Sequence, residues 1–349
     1  MVMAAGVAVA CSAPPQTAPT GGPAEPAGTP GSPPASISAP MPAPVPAPGG
    51  GAADPSAAGT DPPNTPADRP FAPDSPFNVP VVQDPAVDPD SAAMVARVSR
   101  AGLGHANLVE FGVPIYQATA STPRRPVECT LPDWPPCALA DSPRPIPENA
   151  VPGVGRGAMV VVDRAADTAD EYWQAAPTDA GWTTGWGAIT SLSGSGWGGG
   201  ATGAGASRLG GVVRVAEIQA GDIPHALMLE SDTACAATFR PPATKTDGES
   251  TRPDCIPEGA RLQLDPTIDV AAIPGITPGE VTVARALQEY GGYLIDRADT
   301  ALAVGFEVAP DATPTNPGAV YTQAGFDWDF FGMPHIPWDR LRVLQTWDG

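Results

Sequence analysis

Short apolar runs separated by glycine, proline and aspartate fill most of the chain from Phe77 onward. The clearest run, at residues 158–163, is rich in β-branched side chains and is typical of a buried strand. Similar runs occur at 171–174, 182–189, 210–215, 225–229, 261–264, 293–296, 302–308 and 341–344. Because turn residues separate these runs, the pattern predicts an all-β domain.

Two segments break the strand pattern and carry helix signals. Residues 90–98 begin at an aspartate or serine cap, and their apolar residues recur at helical spacing. The second segment has Thr277 as N-cap, Pro278 at the first helical position, Glu280 three residues after the cap and Gly291 beyond the end. Many strands with one or two short helices predict a jelly-roll-like β-sandwich over residues 77–349. The alternative is two smaller β modules divided near the glycine-rich stretch at 193–207.

The first 76 residues lack this pattern. Residues 1–10 are apolar and lead to Cys11, which fits a bacterial lipobox, so we expect a signal segment over 1–11 that is lipidated at Cys11. A secretion signal without lipidation is the alternative. Residues 12–76 are rich in Pro, Ala and Gly with few large apolar side chains, which predicts a disordered tether. The expected location is extracytoplasmic, either lipid-anchored to the outer face of the cell membrane or secreted.

Four further cysteines lie in the predicted domain. An even number in an exported chain predicts disulfides, and local pairing gives Cys129–Cys137 and Cys235–Cys255. No CxxC or HxxxH spacing is present, so no metal is expected. The glycine-rich stretches have no following helix signal, so we expect no nucleotide cofactor either.

The net charge of the chain restricts the classes of molecule that it is expected to bind. It has 38 aspartates and glutamates against 18 lysines and arginines, a formal net charge of −20. Such an acidic protein is unsuited to nucleic acid or to anionic lipid surfaces. We therefore expect membrane contact only through the lipid anchor. Neutral glycans or cations remain compatible with the charge, and a polysaccharide or cell-wall glycan is the expected partner.

The segments with the most distinctive residue patterns lie at residues 221–227, 242–248, 257–266, 284–291 and 336–344. In order and spacing, these segments and the earlier stretches 87–93 and 161–164 resemble a family of exported, actinobacterial-type lipoproteins and secreted proteins. The resemblance covers nearly all of residues 77–349. The resemblance implies one β-rich domain with a boundary near residue 77. It does not indicate an activity or assign roles to particular residues.

Tryptophans give the main indication of function. Sugar rings stack on aromatic faces, and Trp182, Trp186 and Trp197 lie in or near glycine-rich sequence where exposure is expected. Packing in the core is the alternative use. These residues predict that the tethered domain binds cell-envelope or extracellular polysaccharide.

Two residue sets suggest an enzyme instead. One set has His225 as base, Tyr290 or Tyr293 as acid, and Arg261 or Arg285 to neutralise a uronate. These residue types are similar to those that sandwich-fold polysaccharide lyases use. A carboxylate pair suited to glycoside hydrolysis would come from the following acids: Glu217, Glu230, Asp247, Asp265, Asp296 and Asp339. A lyase or glycoside hydrolase is thus the second predicted function, and a structural envelope lipoprotein without ligand is the third.

Overall fold

Two stacked β-sheets form the centre of the domain in the computed structural model, which describes residues 69–345 apart from Pro132. The helices are α1 (Ser91–Val98), α2 (Val215–Ala220), α3 (Pro278–Glu289) and α4 (Ala319–Gln323). The strands are β1 (His105–Asn107), β2 (Ile115–Gln117), β3 (Arg124–Arg125), β4 (Val127–Cys129), β5 (Arg144–Pro145), β6 (Met159–Asp163), β7 (Thr168–Trp173), β8 (Ala176–Thr178), β9 (Gly181–Thr184), β10 (Trp186–Ser191), β11 (Leu227–Glu230), β12 (Ala234–Phe239), β13 (Ile256–Glu258), β14 (Arg261–Leu264), β15 (Gly292–Asp296), β16 (Ala303–Gly305) and β17 (Leu341–Val343).

The larger sheet has six strands in the order β1-β16-β11-β15-β14-β17, and the smaller has four in the order β10-β7-β6-β2. Strands β4, β9 and β8 form a three-stranded sheet, while β12–β13 and β3–β5 are two-stranded. In the six-stranded sheet β1 runs parallel to β16, and β11 runs parallel to β15. The predicted β-rich class is confirmed, with 28% of residues in strands and 14% in helices, but the jelly roll is not.

Alternation along the strands divides the core into layers. Leu227, Leu229 and Leu294 join the cluster that contains Val283 and Leu287 of α3, on one face of the six-stranded sheet. Their sequence neighbours join the cluster between the two sheets, which includes Met228, Tyr293, Ile295, Val160 and Val162. Met159 and Val161 of β6 pack into a third cluster on the far side of the smaller sheet. Successive side chains of a strand point to opposite faces, so these runs are apolar throughout because both faces are covered.

Both predicted helices are confirmed. The side chain of Thr277 accepts a hydrogen bond from the backbone N–H of Glu280, and the Glu280 carboxylate accepts one from the N–H of Thr277. This reciprocal pair satisfies two N–H groups that the first turn of α3 leaves without helical partners. Gly291 follows the helix in the left-handed region, at φ 65°.

The strand predicted at 210–215 is wrong, whereas every other predicted run contains or overlaps a strand. Gly211 turns with φ 73°, where a Cβ would lie 2.5 Å from the Met228 nitrogen. Helix α2 then begins at Val215, because the Glu217 carboxylate accepts a hydrogen bond from the Arg214 N–H. Tertiary contacts thus override the strand preference of Val212 and Val213.

Residues ahead of the predicted domain start at residue 77 also pack against the core. Phe71 is buried in the cluster between the sheets, and its N–H donates to the Leu192 carbonyl at 2.6 Å. The Ala72 N–H donates to the Gly194 carbonyl at 2.8 Å, and the Asn78 amide donates to the Pro70 carbonyl at 2.9 Å, so several contacts hold this stretch against the core. The predicted signal segment, Cys11 and the predicted tether up to residue 68 lie outside the described residues.

The two predicted disulfides are confirmed as Cys129–Cys137 and Cys235–Cys255. Each closes a short loop, with sequence separations of 8 and 20. The first loop contains Trp134, and the second contains Lys245 and Asp247. Both loops reach the cavity described next.

A buried irregular segment, residues 200–213, runs beside the smaller sheet. Glu171 of β7 organises it, because its carboxylate accepts hydrogen bonds from the N–H groups of Ala201 and Arg208 at 2.8 and 2.9 Å. The same carboxylate accepts from the hydroxyl groups of Thr190 and Ser207. Buried loop backbone needs such partners, so Glu171 fixes the position of this segment.

Candidate functional site

A cavity of about 760 Å³ opens beside β7 and β10 and is referred to as the Trp186 cavity. Its walls contain three aromatic residues, four cationic residues and three acids, which are Trp134, Trp173, Trp186, Arg156, Arg208, Lys245, Arg297, Asp247, Asp296 and Asp299. Small-molecule sites combine apolar and aromatic surface with converging polar groups, and this cavity has both, with a larger charged share than most.

Strand pairing and a disulfide assemble the aromatic wall. Trp173 and Trp186 are direct partners in the register of β7 and β10, which brings them to one face of the sheet. Trp134, on the Cys129–Cys137 loop, stacks on Trp173 with ring centroids 5.5 Å apart and 17° between planes. The Trp186 indole N–H donates to the Pro135 carbonyl at 2.9 Å, which ties that loop to β10. Trp134 remains 48% exposed, so part of its ring is open to a ligand.

Four carboxyl groups meet at one side of this cavity, and they are referred to as the carboxyl cluster: Glu230, Asp247, Glu258 and Asp296. Glu230 and Asp296 are partners across β11 and β15. Asp247 is exposed, and its carboxyl group lies within hydrogen-bonding reach of both Asp296 and the buried Glu258. Two donors enter the cluster, Asn107 Nδ2 to Glu230 at 2.9 Å and Arg208 Nη2 to Asp296 at 3.3 Å.

Burial and mutual repulsion keep protons on this cluster. Burial, followed by the neighbouring Asp247, raises the pKa of Glu258 to about 9. Burial and the charge of Asp296 raise the pKa of Glu230 to about 7, against the opposing effect of Arg208. Burial also raises the pKa of Asp296, although Arg208 opposes the shift. Close carboxylates cannot all ionise, so at neutral pH the cluster pairs protonated acids with the accessible Asp247 carboxyl group.

Two buried atoms at the cluster lack hydrogen-bond partners among the described residues, Glu258 Oε1 and Arg208 Nε. Gly203 lines the cavity beside the cluster, and a Cβ at this position would lie 2.9 Å from Glu258 Oε1 and closer still to Asp247. Only glycine therefore leaves room here for both carboxyl groups.

The residues predicted for a lyase do not converge on one cavity. Arg261 is buried and donates to the carbonyls of Tyr290 and Val79 at 2.8 and 2.6 Å, while its guanidinium lies over the Tyr293 ring. Arg285 is exposed on α3, and Tyr290 is half-buried just after that helix.

His225 is buried and lines a second cavity, of about 560 Å³, together with Glu217 and Arg214. Its Nε2 lies 3.0 Å from Glu217, and its Nδ1 lies 3.0 Å from the Ala226 carbonyl. Burial lowers the pKa of His225, but the Glu217 carboxylate outweighs this effect and leaves the pKa raised. Both ring nitrogens therefore have protein partners.

Of the three tryptophans predicted to bind glycan, Trp186 lines the cavity and the other two pack elsewhere. Trp197 stacks on Phe77, with ring centroids 5.1 Å apart, and packs against the core between the sheets. Trp182 packs against the third core cluster.

Of the six acids considered for a catalytic pair, Glu230, Asp247 and Asp296 belong to the carboxyl cluster. Glu217 pairs with His225, Asp265 pairs with Arg340 at 2.6 Å, and Asp339 is exposed next to β17.

Sequence reasoning missed Trp134, Glu258 and Arg208. Trp134 had one usable signal, its position inside the Cys129–Cys137 loop. Glu258 and Arg208 had no such signal in the sequence. They come close to each other only because the fold brings β13, β15 and the 200–213 segment together.

Comparisons with models of known protein families, with curated proteins and with solved structures gave no match to this chain. The resemblance to exported lipoproteins therefore stays a prediction. In the described residues, no group of three or more His, Cys, Asp and Glu side chains is placed to hold a metal ion. A search of the same residues gave no helix with the length and apolarity to span a membrane.

Proposed function

We propose that this domain binds a saccharide in the Trp186 cavity. The observation that carries the proposal is the convergence of Trp134, Trp173 and Trp186 with carboxyl and guanidinium groups around one open cavity. A sugar ring has apolar C–H faces and a rim of hydroxyl groups. The indole surfaces suit the faces, and groups such as Asp247 and Arg208 suit the hydroxyls.

The test is a panel of cell-envelope and extracellular polysaccharides, read by pull-down of the full chain and then by titration calorimetry. Trp134→Ala removes an exposed ring, so the fold is retained while glycan affinity falls about 10-fold or more. Trp186→Ala should act in the same direction. The matched control is Trp328→Ala, because Trp328 is 55% exposed and does not line the cavity.

If no glycan in the panel binds, the proposal fails. It also fails if Trp134→Ala and Trp186→Ala bind as tightly as the unmodified chain.

A second candidate function is hydrolysis of the bound glycan, which the carboxyl cluster favours. Asp296 with its raised pKa supplies an acid beside the accessible Asp247, and perturbed acids in a cavity are common at catalytic sites. The contact between these two groups is closer than the roughly 5–9.5 Å that separates acid and base in most glycosidases. This difference ranks binding above cleavage.

Release of reducing ends by the unmodified chain, abolished in both Asp247→Asn and Asp296→Asn, would establish the hydrolase. Stable glycan with unchanged chain length after prolonged incubation would exclude it for that substrate.

We also propose that the domain works outside the cytoplasm, attached through Cys11. The two disulfides support an oxidising compartment. Metabolic labelling with a fatty-acid analogue should mark the chain and should fail for Cys11→Ser. Labelling that survives Cys11→Ser, or is absent from the unmodified chain, would contradict the anchor.

A further inference from the structure

The cations of this acidic chain are unevenly distributed. Of 18 lysines and arginines in the sequence, four line the Trp186 cavity, and one of them, Lys245, is the only lysine. Lys245 lies with its Nζ 5.6 Å from the centroid of the Trp186 ring. A positive charge is therefore held at the aromatic wall where a sugar ring would stack.

Three of the four cations already have protein partners. Arg208 bonds to Asp296 at 3.3 Å, Arg297 pairs with Glu249 at 2.6 Å, and Arg156 donates to the Arg297 carbonyl at 3.1 Å. Lys245 makes no ion pair with any described residue. Among the cavity's four cations, its exposed ammonium is thus the one without an ionic or hydrogen-bonding partner in the described part of the chain.

One of the three acids that line the cavity already has a cationic partner inside it. Asp296 is buried against Arg208, and the neighbouring Glu258 holds its proton at neutral pH because its pKa is raised to about 9. Asp247 shares hydrogen-bonding contact with both of these groups. The buried Arg208 Nε, which has no acceptor in the described residues, leaves a further unmet donor near the cluster.

We propose that the saccharide taken by this cavity carries a carboxylate, as in a uronic-acid polysaccharide, and that Lys245 binds that carboxylate while the sugar ring lies against the tryptophans. The single ammonium group of Lys245 matches the single negative charge of one uronate carboxylate. A phosphate or sulfate ester would place more charge or bulk beside Asp247 and the exposed Asp299. This inference rests on the proposed saccharide binding and specifies its ligand class.

The experiment compares oligouronates with the same oligomers after reduction of their carboxylates to primary alcohols. The chain length and linkage are identical, so the difference in affinity reports the carboxylate alone. For the full chain we expect the uronate to bind about 10-fold tighter or more than its reduced counterpart. Raising the salt concentration should weaken uronate binding selectively, because the pair is exposed.

Lys245→Gln should remove the preference for the uronate, and Lys245→Arg should retain it. Arg285→Gln, on α3, changes the net charge equally and serves as the control. Equal binding of the two oligomers by the unmodified chain, or a preference that survives Lys245→Gln, would overturn the inference. If both oligomers and the neutral glycans fail to bind, the proposed function itself falls, which separates the two failures.

Discussion

Two buried glutamates, Glu171 of β7 and Glu258 of β13, lie against the 200–213 segment and have opposite surroundings. Glu171 receives four hydrogen bonds, from two backbone N–H groups and two hydroxyls. Glu258 has one oxygen without a partner among the described residues and touches another carboxyl group, that of Asp247. The first is surrounded by donors and holds a loop in place, whereas the second retains its proton beside an open cavity.

Arg208 connects the two environments. Its backbone N–H donates to Glu171, and its guanidinium reaches Asp296 in the carboxyl cluster. The comparison teaches that burial alone does not identify a functional acid. Donors that fill every oxygen indicate a structural role, and acids left to share protons at a cavity indicate a site for chemistry or binding.

The largest expected effect comes from Glu171→Gln. The new amide NH₂ cannot accept the hydrogen bonds that one carboxylate oxygen received, so buried donors lose their partners. We expect the free energy of unfolding to fall by about 2–4 kcal/mol. Thermal unfolding measures the loss, with the exposed Glu128→Gln on β4 as control. An unchanged midpoint would refute the anchoring role of Glu171.

The second prediction compares the two disulfides, whose loops both contribute residues to the cavity. Replacing Cys235 and Cys255 together with serine should cost about 3 kcal/mol of unfolding free energy, because the unfolded chain regains the entropy of a 20-residue loop. The matched replacement of Cys129 and Cys137 frees a shorter loop and should cost about 2.5 kcal/mol. Denaturant unfolding of both variants gives the order, and a reversed order contradicts the prediction.

The third prediction uses the pH dependence of stability to test whether Glu258 holds its proton in the folded chain. The pKa of Glu258 is raised from 4.5 to about 9, so between these values the folded chain binds more protons than the unfolded chain. Its contribution to stability is therefore full below pH 4.5 and is lost as the pH rises towards 9. Glu258→Gln cannot ionise, so at pH 8 it should unfold about 3 °C higher than the unmodified chain or more, with little difference at pH 5.

Melting curves from pH 5 to 9 test this prediction. Parallel pH profiles for Glu258→Gln and the unmodified chain would show that Glu258 does not hold the excess proton.

The smallest expected effect is that of Arg285→Ala. Arg285 is exposed on α3 and does not line either cavity, so stability should change by less than about 0.5 kcal/mol. Glycan affinity should stay within about two-fold of the unmodified chain. Loss of glycan binding in this variant would return the lyase set of His225, Tyr290 and the arginines to consideration.

Local chemistry made much of the fold predictable. The Thr277–Glu280 capping box, the β-branched run of β6 and the spacing of the four domain cysteines each act over a few residues, and the structure has each of them as predicted. The strand predicted at 210–215 failed because Gly211 turns against β11 and Glu217 caps a helix. The burial of Phe71, ahead of the boundary predicted at residue 77, could not be read from the sequence because distant segments build the pocket that receives it.

The sequence by itself determined a β-rich domain with two local disulfides, two capped helices and an aromatic-rich middle, because these features depend on neighbours along the chain. Only the tertiary structure decided which side chains form a site. It selected Trp186, put Trp182 and Trp197 into packing roles, and added Trp134 from a disulfide loop. It also gathered Asp247, Glu258 and Asp296 from separate segments. The physical reason is that carboxyl groups share protons only where the fold buries them in contact with one another. The local sequence around each residue does not show which distant residues it will contact.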